Sequence, residues 1–235
     1  MLSALMIETD LFSYAVHYSI KRRSIALQIK QGQLTVRAPS GVSLPDIQAL
    51  VRKKHNWILK HMRQAEQHVK PDWLAQQEVP LQGTLLTLQL QSASQSLVIL
   101  DDDRVIVNIS TRVQALRHNI KARELLQQWY KKQALQWFTQ RLNYWQNQMN
   151  LHAKELVIGN WQSKWGYCKQ SGEIGFNWRL MMAPSWIADY VIVHELAHLK
   201  HLNHSANFWR LVQQYYMDID VAQSWLKQHQ HWMEL

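Results

Sequence analysis

His194, Glu195 and His198 stand in the order H-E-x-x-H, a stretch in which residue type and spacing together specify a chemistry. On an α-helix, side chains four apart lie one above the other, so both imidazoles can approach one metal ion at about 2.0–2.1 Å per nitrogen. Glu195, rotated by about 100° from His194, falls beside such an ion rather than on it, where a carboxylate can take a proton from a metal-activated water. A shuffled chain of this composition contains the pentad about 2% of the time, so a third ligand has to decide.

His201 and His204 are the candidates. His201 shares nearly the face of His194 but sits about 10.5 Å further along a straight helix, whereas two ligands of one tetrahedral ion are about 3.4 Å apart. His204 can reach the ion if the helix ends near Leu202 and the chain turns back. Asn203, of a residue type that tolerates the left-handed conformation, stands where that stop is needed. The expected ligand set is therefore His194, His198 and His204, and the third histidine lowers the chance estimate to about 0.1%. Three imidazoles with one open position suit zinc. His201 then reads as a neighbour of the ligands or of the substrate. Asp189, Asp218 and Asp220 are acidic fallbacks, either for a third ligand or for holding a ligand imidazole, and no sequence argument chooses among them. His17, His55, His61, His68, His118, His152, His229 and His231 read as ordinary packed or exposed side chains.

The elements that must position these groups follow from periodicity. The pentad lies in a helix opened at Pro184, preceded by a strand at Leu156–Ile158 and a hairpin made of 161–168 and 173–178 that turns at Ser171-Gly172. Two short helices follow, near 206–216 and 219–230. Residues 114–149 lack Gly and Pro and carry Leu116, Ile120, Leu125, Trp129, Trp137, Leu142 and Trp145 at helical intervals, which predicts one long helix or two abutting ones. Between Pro80 and Ile109 the period is two, as in an antiparallel meander. Ile25–Ala38 reads as a hairpin turning at Gln31-Gly32, and a helix capped by Ser43 runs to about residue 68 with Lys53, Asn56, Lys60 and Arg63 along one side. The boundary between a β-rich N-terminal region, 1–110, and a catalytic region, 111–235, is expected near residue 110, and no internal repeat is visible.

The chain of 235 residues, 47% hydrophobic and 18% charged, can bury one sizeable core or two modest ones, and its single cysteine, Cys168, excludes an intrachain disulfide and a multi-Cys zinc site. A reducing, cytoplasmic location is expected. The first residues carry Glu8 and Asp10 where a secretory signal would have its apolar centre, and no apolar run is long enough to span a membrane. Of the net charge of +9, the whole excess lies in residues 21–70, which hold eleven basic and two acidic residues. That stretch is a candidate surface for an acidic partner.

Trp165-Gly166-Tyr167-Cys168, the run Gly172–Leu180, Pro184, Asp189–Leu199 and Asn203-His204-Ser205 with Phe208-Trp209 resemble the YgjP-like zinc metallopeptidases, relatives of the SprT-like and Wss1-like proteins. The strong resemblance covers about 160–230; a weaker one covers 20–60, including Trp57-Ile58. It implies an α+β fold with a zincin-type catalytic domain built on the H-E-x-x-H helix, His194, His198 and His204 as ligands, and Glu195 as the catalytic base. Tyr167 stands where Ser is expected and Lys164 where Arg is usual, and neither is a ligand.

The leading expectation is a zinc-dependent peptidase acting on a peptide or protein, with Tyr167, Arg179 or His201, in that order, as donor to the developing oxyanion. The strand Glu173–Asn177 is expected to pair with an extended peptide substrate by strand addition. Two alternatives remain. The same centre could attack the phosphoanhydride of a nucleoside triphosphate held by Lys164, Lys169 and Arg179, although no glycine-rich phosphate loop is present. Or residues 21–70 could contact nucleic acid, the metal centre acting on proteins bound there or only stabilising the fold.

Overall fold

The computed structural model describes residues 5–9, 11–30, 32–67 and 70–235. Its backbone forms two compact units, Met1–Lys70 and Pro71–Leu235. This division falls well before residue 110, because Val105, Val107 and Ile109 pack into one core with the long helix that follows them.

In the first unit, β1 (Leu5–Glu8), β2 (Ser13–Ser19), β3 (Ala26–Lys30) and β4 (Gln33–Pro39) form a sheet in the order β1-β2-β4-β3. β3 and β4 make the expected antiparallel hairpin; of its turn, Gln31 lies outside the described residues and Gly32 has φ 74°. β2 runs parallel to β4, and Tyr14, Val16, Leu34, Val36 and Ala38 share the buried face. The helical stretch divides into α1 (Leu44–Lys53) and α2 (His55–Gln67), where one helix was expected. Lys54 leaves helical geometry (φ −98°, ψ 10°), yet the bonds from Lys54 N–H to Leu50 O and from Ile58 N–H to Lys54 O keep the two segments in step. Ser43 caps α1 by accepting from the Asp46 N–H, while Ile47, Val51 and Ile58 are buried. His68 lies outside the described residues.

The second unit opens with α3 (Trp73–Gln76) and a sheet of β5 (Glu78–Leu81), β6 (Thr84–Ala93), β7 (Leu97–Asp101) and β8 (Arg104–Ser110) in the order β5-β6-β8-β7. This corrects the expected antiparallel meander, since β6 pairs with β8 in parallel and β7 lies at the edge. The crossing is fixed locally: Ser110 N–H donates to Ser96 Oγ at 2.9 Å, and Ser110 Oγ donates to Ser94 O at 3.3 Å. Each four-stranded sheet thus consists of two antiparallel hairpins joined by parallel pairing of their second strands, and a helix follows each. The repeat is one of topology, not of sequence.

α4 (His118–Met149) is a single helix whose buried residues, among them Leu126, Trp129, Tyr130, Phe138 and Leu142, recur every three or four positions. It stops at Asn150, which is left-handed (φ 51°). β9 (Glu155–Gly159), β10 (Gly166–Cys168) and β11 (Glu173–Asn177) form a third sheet in the order β10-β11-β9, on which Phe176 stacks against Phe138 of α4 at 4.6 Å. α5 (Ser185–Ala197), α6 (Ala206–Tyr215) and α7 (Ile219–His229) complete the unit. Among the described residues, no helix is long and apolar enough to cross a membrane.

Candidate metal centre

α5 is buried almost all round, so its polar residues must each have a partner or a purpose. Asp189, an expected fallback ligand, has a structural partner instead. Arg141 of α4 donates to both its carboxylate oxygens at 2.6 and 2.8 Å, and Trp145 Nε1 donates at 2.8 Å. That two-pronged contact ties α5 to α4 and fixes where the helix presents His194. Asp218 and Asp220 lie at the start of α7, outside the histidine group.

α5 ends earlier than expected. Its last helical residue is Ala197, and the chain leaves through a tight turn in which Leu199 N–H donates to Leu196 O and Lys200 N–H to Ala197 O. Asn203 is not among the left-handed residues. The turn puts the His201 carbonyl 3.0 Å from His198 Nδ1, which donates to it and leaves His198 Nε2 with its lone pair free. Ser205 then caps α6, accepting from Phe208 N–H, and holds the chain immediately after His204. The His204 ring stacks on Trp209 and meets Phe208 edge-on.

The result brings His194, His198 and His204 together, one ligand atom of each lying within 4.8 Å of the others. His194 Nε2 and His204 Nε2 are 3.0 Å apart. Two ligands of one tetrahedral ion are about 3.4 Å apart, a spacing within the range these three ligand atoms span. Burial, then the neighbouring His198 and His204, push the His194 imidazole down to about 3, and burial likewise lowers His198. Both rings are therefore neutral near pH 7, the form that donates to a metal. His194 Nδ1 is buried without a hydrogen-bond partner. The set fits a divalent ion that accepts imidazole ligands. His201 contributes its main-chain carbonyl to the arrangement, not its ring.

Glu195 is 93% buried beside this group, and burial raises its carboxyl to about 8, opposed by the positive charge of Lys164. A cation among the three imidazoles would oppose it in the same sense. β10 passes so close that a Cβ at Gly166 would lie 2.8 Å from both Glu195 Cγ and Oε1. Gly166 thus shapes the surroundings of Glu195, a position the sequence marked only as a glycine inside a short strand. Tyr190 was also missed. With Trp165, Val191, Gln223 and Leu226 it walls a largely apolar cavity of about 260 Å³ that opens on His194 and Glu195, and its hydroxyl accepts from Gln223 Nε2 at 3.0 Å.

Tyr167 and Arg179 are not brought to the histidine group. Side chains alternate across a strand, and Gly166 occupies the face toward Glu195, so Tyr167 lies on the opposite face with Gly175 and Trp161. Its hydroxyl donates to Glu173. Arg179 donates to Asn160 Oδ1 and stacks over Trp178. Lys169 pairs with Glu173 at 2.7 Å, which leaves Lys164, its Nζ 4.3 Å from the Tyr167 ring centre, as the cation whose charge reaches Glu195. The expected role of Glu173–Asn177 in strand addition is corrected as well. β11 is the central strand, paired on both sides, and the edges belong to β10 and β9, of which β10 is the one that passes against Glu195.

A mixed α+β unit that gathers three imidazoles and sets a buried carboxyl beside them has the parts of a metal-dependent hydrolase. The model of the YgjP-like family, described as a YgjP-like metallopeptidase domain, matches residues 23–229, and the chain belongs to that family. The match runs through both compact units. No curated protein and no solved structure matches the chain.

Proposed function

We propose that this chain is a zinc-dependent peptidase in which His194, His198 and His204 hold the ion and Glu195 is the general base. The observation that carries the reading is the convergence of three imidazoles next to a carboxyl that Gly166 alone leaves room for. Bound there, zinc would supply Lewis-acid polarisation of the scissile carbonyl and an acidified water. Glu195, held against β10, takes the proton and returns it to the leaving amine. The turn at His201 keeps His198 in one tautomer, and the Arg141–Asp189 contact holds α5 in place.

The substrate peptide lies along the open edge of β10. In the β10–β11 ladder, Lys169 bonds to Glu173 and Asn177 to Trp165, so the alternation of an antiparallel pair turns the main-chain groups of Gly166 and Cys168 outward. Those groups can pair with an extended backbone, while the cavity bounded by Tyr190, Gln223 and Leu226 takes an apolar side chain next to the scissile bond. Residues 71–235 are the catalytic unit in this reading, and a reducing cytoplasm suits the free thiol of Cys168.

The test is hydrolysis by zinc-loaded protein of a peptide library and of nucleoside triphosphates. Peptide cleavage that falls about 10²–10⁴-fold in Glu195→Gln, with zinc retained, supports the reading. Pyrophosphate release from nucleotides with all peptides intact would replace it with phosphoanhydride hydrolysis.

A further inference from the structure

The first unit contains a surface that the catalytic reading does not use. On α1 and α2, Ile47, Val51 and Ile58 face the core, with Met62 packed against it. Beside this buried stripe, Lys53, Lys54, Trp57 and Lys60 are exposed and His61 is half-buried. Their spacing relative to Trp57 (−4, −3, +3 and +4) places them on one helical face, and the bonds across Lys54 preserve that spacing. Lys53, Lys54 and Lys60 are exposed, and among the described residues none of them has a carboxylate partner.

Trp57 is 41% exposed, the most of the chain's twelve tryptophans. It belongs neither to the core beneath, which is built from Tyr14 and aliphatic side chains, nor to the side chains packed against that core. His61 lies against one of its faces, ring centres 4.2 Å apart and planes 30° apart, and His61 Nδ1 is 2.8 Å from the Trp57 carbonyl oxygen. One face of the indole is therefore covered by a ring that is itself tied to the main chain, and the side chain remains 41% exposed.

We propose that this face of α1–α2 binds single-stranded nucleic acid, with a base stacked on Trp57 and phosphates at Lys53, Lys54 and Lys60. An exposed aromatic plane between unpaired lysines offers the two contacts such a strand makes, and the concentration of the chain's excess charge in residues 21–70 supplies the long-range attraction. A duplex presents its phosphates but not its base faces, so the exposed indole selects the single strand.

The experiment is a fluorescence-anisotropy titration of the full chain against labelled oligothymidylate and a duplex of equal length, between 50 and 200 mM salt. The expected result is preference for the single strand, with affinity falling as salt rises by about 0.7 log units per log unit of salt for each phosphate contacted. Lys53→Gln with Lys60→Gln should flatten that slope by roughly 1.4. Trp57→Ala should weaken binding about tenfold or more with the slope unchanged. Peptidase activity of each variant reports on folding and should match the wild type. Absence of binding at 50 mM salt, equal affinity for duplex with Trp57→Ala neutral, or binding confined to phosphatidylserine vesicles would each overturn the proposal.

Discussion

Gly166 connects sequence to mechanism through one missing atom. A Cβ there would meet Glu195 Cγ and Oε1 at 2.8 Å, closer than side chains tolerate, so Gly166→Ala must push the carboxyl away from the imidazoles. The expected outcome is at least a tenfold fall in kcat/KM for the best peptide, with zinc content unchanged and stability lowered by about 1–3 kcal/mol. Steady-state kinetics beside metal analysis would show whether the two separate in this way. At this scale the pentad was legible because helical spacing alone brings His194 and His198 together. The placement of Tyr167 was not. Tyr167 adjoins Gly166 in sequence, but strand alternation sends its hydroxyl across the sheet to Glu173.

Among the elements, α5 depends on α4 for its placement. Asp189 is mostly buried, whereas the Arg141 side chain is about one-third exposed, so solvent screens part of their attraction. Asp189→Ala removes the acceptor of both Arg141 and Trp145, and its expected cost is about 2 kcal/mol, below that of breaking a fully buried pair. Urea denaturation would measure it, and a parallel loss of zinc affinity would show that α5 had shifted. Periodicity in the sequence revealed the helices and hairpins, because one face of each is apolar. It did not reveal the parallel pairings β2–β4 and β6–β8, since alternation is the same whichever neighbour a strand takes. The exit from α5 was misplaced for a related reason: the turn is closed by main-chain bonds at Leu199 and Lys200, which leave no mark on side-chain pattern.

For the molecule as a whole, the core sets the alkaline limit of stability. Tyr130 is fully buried, its hydroxyl donating to the Pro80 carbonyl, and burial raises it far above an ordinary phenol; Tyr216 is raised to about 12, also mainly by burial. A group whose pKa is higher folded than unfolded contributes stability that is complete below the unfolded value and is lost above it. Stability should therefore hold up to about pH 10 and then decline, by roughly 1.4 kcal/mol per pH unit for each such tyrosine. Thermal melts between pH 8 and 12 check this, and Tyr130→Phe should flatten the decline. The division at Lys70 was not legible either, because β5–β8 look as β-rich as the strands before them, and only their burial against α4 assigns them to the second unit. The family match begins at residue 23 and so takes in the β3–β4 hairpin and both helices of the first unit together with nearly all of the second.

The proposed chemistry depends on one zinc ion held by His194, His198 and His204. Metal content by mass spectrometry, on wild type and His204→Ala purified identically in zinc-containing buffer, tests it most directly. The expected result is one zinc per chain in the wild type, a thermal midpoint that falls on chelation, and zinc lost or loosely held in the variant. A wild type that carries no zinc and melts at the same temperature with and without chelator would contradict it.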